Sequence, residues 1–119
     1  MKQTMTRKIR EWLGVSQEQL SIMLDVPFVS VSRWDRGTHE PTEEREEKLR
    51  RLYELLYRLD EPEIRERLLP RAYGHTLAER KARYLNEPCG LLGRLRPLDF
   101  LDNENTFSVL LGAVRNLDK

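Results

Sequence analysis

The side chains with chemical reactivity are few in this chain and stand apart. Its histidines are His39 and His75 and its one cysteine is Cys89. None of the three shows the C-x2-C or H-x3-H type of spacing that brings metal ligands together. No glycine-rich phosphate loop occurs, because the six glycines are scattered singly along the chain. The carboxylates lie among arginines in helical stretches, where ion-paired or solvated faces are the ordinary arrangement. The expectation is therefore a protein that is not an enzyme and needs no cofactor or metal. A different chemistry suits the short polar and cationic run Ser30, Ser32, Arg33 and Thr38. These residue types hydrogen-bond to phosphates and to the edges of bases.

Such residues act only if a helix carries them into the major groove, which is ~12 Å wide, with a second helix bracing it. The surrounding sequence provides both. No stretch alternates apolar and polar residues with strand-like period, whereas Leu, Glu and Arg dominate, so the fold class expected is all-α. A first helix over 4–13 stops at Gly14. Ser16 with Gln19 forms a capping box opening a second helix that ends near Asp25-Val26. Pro27 suits the first turn of a third helix, which Gly37 ends. Leu20, Leu24, Val26, Val31 and Trp34 are the apolar residues that join this pair. Thr42 caps a fourth helix striped by Leu49, Leu52, Leu56 and Leu59. Further short helices are expected at 62–69, from Thr76 to about Glu87, at 97–101, and from an Asn103 or Asn105 cap through Phe107, Leu110, Leu111, Val114 and Leu117. The boundary between an N-terminal domain, 1–60, and a C-terminal helical domain, 61–119, falls near Asp60-Glu61-Pro62.

The 119 residues carry 21 Lys+Arg and 20 Asp+Glu, a formal net charge of +1. Strong non-specific nucleic-acid binders have a clear basic excess, so the total argues against that class. Its distribution is less even. Residues 1–39 hold six cations (Lys2, Arg7, Lys8, Arg10, Arg33, Arg36) and four acids (Glu11, Glu18, Asp25, Asp35), and the start of the fourth helix is acidic. A +2 segment is compatible with binding by a dimer. The first residues lack the apolar core of a secretory signal, no apolar run has the ~18–20 residues of a membrane span, and the lone cysteine suits a reducing compartment. A cytoplasmic protein without membrane association is expected.

Two stretches carry family resemblances. The runs Val15-Ser16-Gln17-Glu18-Gln19-Leu20 and Val31-Ser32-Arg33-Trp34-Asp35-Arg36-Gly37 resemble the Cro/repressor (Xre) helix-turn-helix family over about 5–59. That likeness implies a helical domain binding operator DNA as a dimer. It would have Gln17 on phosphate, Phe28, Val29, Ser30 and Arg33 toward bases or flanking backbone, Trp34 in the core, and Asp35 and Arg36 in structural roles. Family members commonly have a polar residue, often Gln, at the place of Phe28, and a Ser/Thr-type cap at the place of Pro27. Phe28 cannot make the bidentate adenine pair of a Gln, which leaves a thymine methyl or a protein contact.

The second resemblance lies in Tyr84-Leu85-Asn86-Glu87-Pro88 and Leu92-Gly93-Arg94-Leu95-Arg96-Pro97-Leu98-Asp99-Phe100-Leu101, followed by a closing helix. It is similar to the toxin-binding domain of Xre/MbcA/ParS antitoxins, over about 76–117. Departures are Tyr84 for Trp, Cys89-Gly90 for Asn-Pro, and Arg94 at a glycine position that is suited to positive φ. Together the two resemblances imply the antitoxin of a type II toxin–antitoxin pair, which neutralises a RES-domain, NAD-degrading toxin and represses its own operon. Toxin contacts are then expected at Leu92, Gly93, Arg94, Arg96 and Pro97, and at the chain end, Arg115, Asn116, Leu117, Asp118 and Lys119. The other reading is a stand-alone dimeric transcriptional regulator whose C-terminal half serves oligomerisation.

Overall fold

The computed structural model describes residues 4–68, 76–88 and 92–115. Among them every regular element is a helix: α1 (Met5–Leu13), α2 (Gln17–Leu24), α3 (Phe28–Arg36), α4 (Glu43–Leu59), α5 (Pro62–Leu68), α6 (Leu77–Asn86) and α7 (Glu104–Arg115), with a 3-10 turn at Pro97–Phe100. None of these helices is long and apolar enough to cross a membrane.

The local signals act where they occur. Thr4, Ser16, Thr42 and Thr76 each accept a hydrogen bond from the backbone N–H three residues on, and Ser16 with Gln19 makes the reciprocal capping box. Asn103 caps α7 by accepting from Thr106 N at 2.9 Å. Gly37 closes α3 at φ 76°, a left-handed geometry that disfavours a Cβ. Pro27 differs from expectation: it is the N-cap of α3, outside the first turn. Its carbonyl accepts from Ser30 N and Val31 N, and at ψ 142° it is extended. The fixed φ of proline fits either position, and the bend out of α2 selects the cap.

The buried faces of α1, α2, α3, α4, α6 and α7 merge in one apolar cluster that runs past residue 60 without a break. Helix α4 is its axis, burying Leu49, Leu52, Leu55, Leu56 and Leu59. Polar ties reinforce the join between chain halves. Arg51, only 8% exposed, donates from Nη1 to the Leu101 carbonyl at 3.0 Å and pairs through Nε with Glu104 at 3.3 Å. Lys48 reaches the Leu24 carbonyl at 3.2 Å and Asp102 at 3.4 Å. Asp60 accepts from Trp12 Nε1 at 2.6 Å and pairs with Lys81, whose ammonium also lies 5.3 Å from the Trp12 ring centroid. Lys81 is 2% exposed, so its charge is compensated at Asp60 and by the ring face.

Between α6 and the 3-10 turn, Gly93 and Arg94 are both left-handed, at φ 67° and 68°. Arginine carries a Cβ penalty in this region of roughly 1 kcal/mol that glycine does not. Arg94→Gly is therefore expected to raise stability by about 0.5–1 kcal/mol, a rise of roughly 3 °C in melting temperature. An unchanged or lower melting temperature would contradict the assignment. Trp12→Phe should cost about 1–2 kcal/mol in urea unfolding, because it removes a donor to a carboxylate while keeping an aromatic ring.

Candidate nucleic-acid interface

Helix α3 has two sides set by its period. Val31, Trp34 and Asp35 point inward and are buried. Phe28, Val29 and Arg33 point outward and are exposed, with Ser30 and Ser32 half-buried. Val29, Arg33 and Arg36 recur at i, i+4 and i+7 and so form one stripe, with Phe28 and Ser32 beside it. Phe28 is 49% exposed and Val29 54% exposed, at the first turn of the helix. Neither Arg33 nor Lys8 has an ion-pair partner among the described residues, and Arg36 donates from Nε to the Ser32 carbonyl at 3.4 Å.

The stripe is held at a fixed rotation by Asp35. That side chain, 2% exposed, accepts from Arg10 Nε at 3.0 Å, Gln17 Nε2 at 3.0 Å and Arg7 Nη2 at 3.3 Å. The Asp35 backbone carbonyl accepts from Thr4 Oγ1 at 3.1 Å. One carboxylate thus joins α1, α2 and α3. Burial pushes its pKa upward, but the hydrogen bonds from Arg10 and Gln17, the Arg10 charge and the Arg7 hydrogen bond outweigh burial and leave it below the ordinary value. On the other side of α3, the Arg45 guanidinium lies 5.9 Å from the Trp34 ring centroid.

Several expected contact residues have internal duties. Gln17 gives its amide N–H to Asp35 in preference to solvent, because a buried carboxylate with only two arginines would keep unsatisfied acceptor sites. The Thr38 hydroxyl donates to the Arg33 carbonyl at 3.3 Å, satisfying the C-terminus of α3. Phe28, Val29, Ser30, Ser32 and Arg33 lie together along one helix, as the period requires.

In the C-terminal half, Leu92 and Pro97 are buried, so their side chains serve the core and are not open to a partner. Gly93 and Arg94 are exposed, as is Leu95. Arg96 is half-buried and engages Asp99 at 2.9 Å. That hydrogen bond, larger than the opposing effect of burial, lowers the Asp99 pKa. Arg115 is exposed at the end of α7. The expected contacts at Asn116, Leu117, Asp118 and Lys119, and the readings of His75 and Cys89, lie outside the described residues. Asp60, Lys81, Arg51 and Lys48 gave no distinguishing sequence signal, since lysines and arginines on Glu-rich helices ordinarily face solvent.

No protein-family model matches the chain, and no curated protein or solved structure matches it either.

Removing the charge at Asp35 should loosen the three helices together. Asp35→Asn is expected to cost about 2 kcal/mol, moderated because Arg7 and Arg10 are partly solvated and can rehydrate. A carboxylate whose folded pKa lies below its unfolded value adds stability that is complete above about pH 4 and is lost as pH falls through the folded value. Acid titration of urea stability should therefore show a loss below pH 4 in the wild type that is reduced in Asp35→Asn. Identical acid profiles would rule out this role.

Proposed function

We propose that the chain is a DNA-binding antitoxin: α2 and α3 act as a helix-turn-helix on operator DNA, and the C-terminal segment binds and neutralises a RES-type toxin. The observation that carries the DNA half is the outward stripe of α3, with Val29, Arg33 and Arg36 on one line while Asp35 fixes the helix's rotation from behind. A helix that reads bases needs this combination of exposed contact residues and a rigid brace. Internal neutralisation of Asp35 by Arg7 and Arg10 leaves Lys8, Arg33 and Arg36 to face phosphates. This is a small cationic set, suited to a dimer whose two modules raise each other's effective concentration.

Support for the partner half comes from residues 93–95, an exposed corner stiffened by two left-handed residues and followed by the Arg96–Asp99 pair. The RES-type assignment of the partner rests on the sequence resemblance. Division into a DNA-binding segment, 1–60, and a toxin-binding segment, 61–119, belongs to the same proposal. Buried residues of both segments belong to one apolar cluster.

Two measurements test the reading. On DNA from its own promoter, the chain should bind with an affinity that falls steeply with salt. Arg33→Ala should weaken it about tenfold or more and, for a phosphate contact, reduce the log–log salt slope by about one. Co-expression with the adjacent gene product should yield a stable complex and restore growth. Absence of both complex and rescue would reject the antitoxin assignment and leave a stand-alone regulator.

A further inference from the structure

The first turn of α3 breaks the usual rule for a helix start. Its cap is Pro27, with no side-chain hydrogen bond, where Ser, Thr, Asp or Asn stabilises best. The next two residues, Phe28 and Val29, are large hydrocarbons left about half exposed and outside the core cluster. Folding is thus not what calls for an aromatic followed by a β-branched residue here. Departures of this kind from local consistency belong to surfaces used for binding.

The chemistry of the stripe narrows the ligand. Going along α3, hydrocarbon at Phe28 and Val29 gives way to a hydroxyl at Ser32 and cations at Arg33 and Arg36. A second copy of this surface would bring further arginines onto the same line and repel. A phosphate-flanked groove neutralises them. Within the major groove, the thymine C5-methyl is the one hydrocarbon group that a base pair presents. Phe28 and Val29 lack the donors and acceptors to read anything else there. We infer that Phe28 and Val29 are specificity-determining residues that select duplex DNA by packing against thymine methyl groups, while Arg33 supplies the adjoining polar contact. This rests on the DNA-binding reading above and deepens it, because it states which bases the leading turn of α3 accepts.

The experiment uses the full chain and a randomised duplex pool. Selected duplexes should contain thymine at one or two adjacent fixed positions in each half-site. Replacing those thymines by deoxyuridine removes only the methyl, and affinity should fall about three- to fivefold per methyl. Replacing the same base pairs by 5-methylcytosine·guanine should retain more affinity than cytosine·guanine. Phe28→Ala and Val29→Ala alter exposed side chains, so both should fold with unchanged helical circular dichroism. Each should narrow the difference in affinity between thymine and deoxyuridine duplexes, and the double variant should abolish it. Selection of a duplex that wild type binds equally with thymine or deoxyuridine would overturn the inference while leaving DNA binding intact. Failure to enrich any duplex would overturn the DNA-binding reading, and this inference with it. Self-association that Phe28→Ala abolishes, with DNA affinity and methyl dependence unchanged, would reassign the patch to a protein contact and also overturn it.

Discussion

A carboxylate buried at the end of a helix must find donors, and those that Asp35 finds decide how the N-terminal half is put together. Arg7 and Arg10 come from α1, Gln17 from the first turn of α2, and Asp35 itself from the last turn of α3. Apolar packing alone holds helices together but leaves their relative rotation loosely specified. Hydrogen bonds to one charged group specify it, since sliding or turning any of the three helices breaks a bond in a site shielded from water. The outward direction of Phe28, Val29 and Arg33 follows from this inward attachment.

Helix α4 does the same for the rest of the chain. Lys48 ties the last turn of α2 to Asp102, and Arg51 ties the end of the 3-10 turn and the start of α7 to the same strip of α4. At the C-cap of the helix, Asp60 collects Trp12 from α1 and Lys81 from α6. The segment with the proposed partner corner and the segment with the proposed reading helix therefore share buried side chains. A partner that moved the 93–104 region would load Lys48 and Arg51 directly, and through Lys48 the C-terminus of α2.

The near-zero net charge takes on a different sense once the pairs are known. Some of the chain's charge is paired internally, at Asp35, Arg51, Asp60 and Lys81. Charge left over on the α3 side is a small cationic group next to hydrocarbon. Such a surface binds weakly through electrostatics alone and depends on shape and on contacts at base edges for the remainder.

Local structure was largely legible in the sequence because its causes are local. Ser16 with Gln19, Thr42 and Gly37 mark helix ends by satisfying backbone groups within a few residues, and the leucine spacing of α4 fixes its buried face. The shared inward face of Val31 and Trp34, three residues apart, likewise follows from spacing alone. Tertiary structure decided what depends on partners distant in sequence. Gln17 turns inward to Asp35, Leu92 and Pro97 enter the core, and Lys81 is buried against Asp60 and Trp12. Nothing near Gln17 or Lys81 in the chain announces these roles. A polar side chain's direction is set by the strongest acceptor that folding brings within reach, and that acceptor stands 18 residues away in one case and 21 in the other.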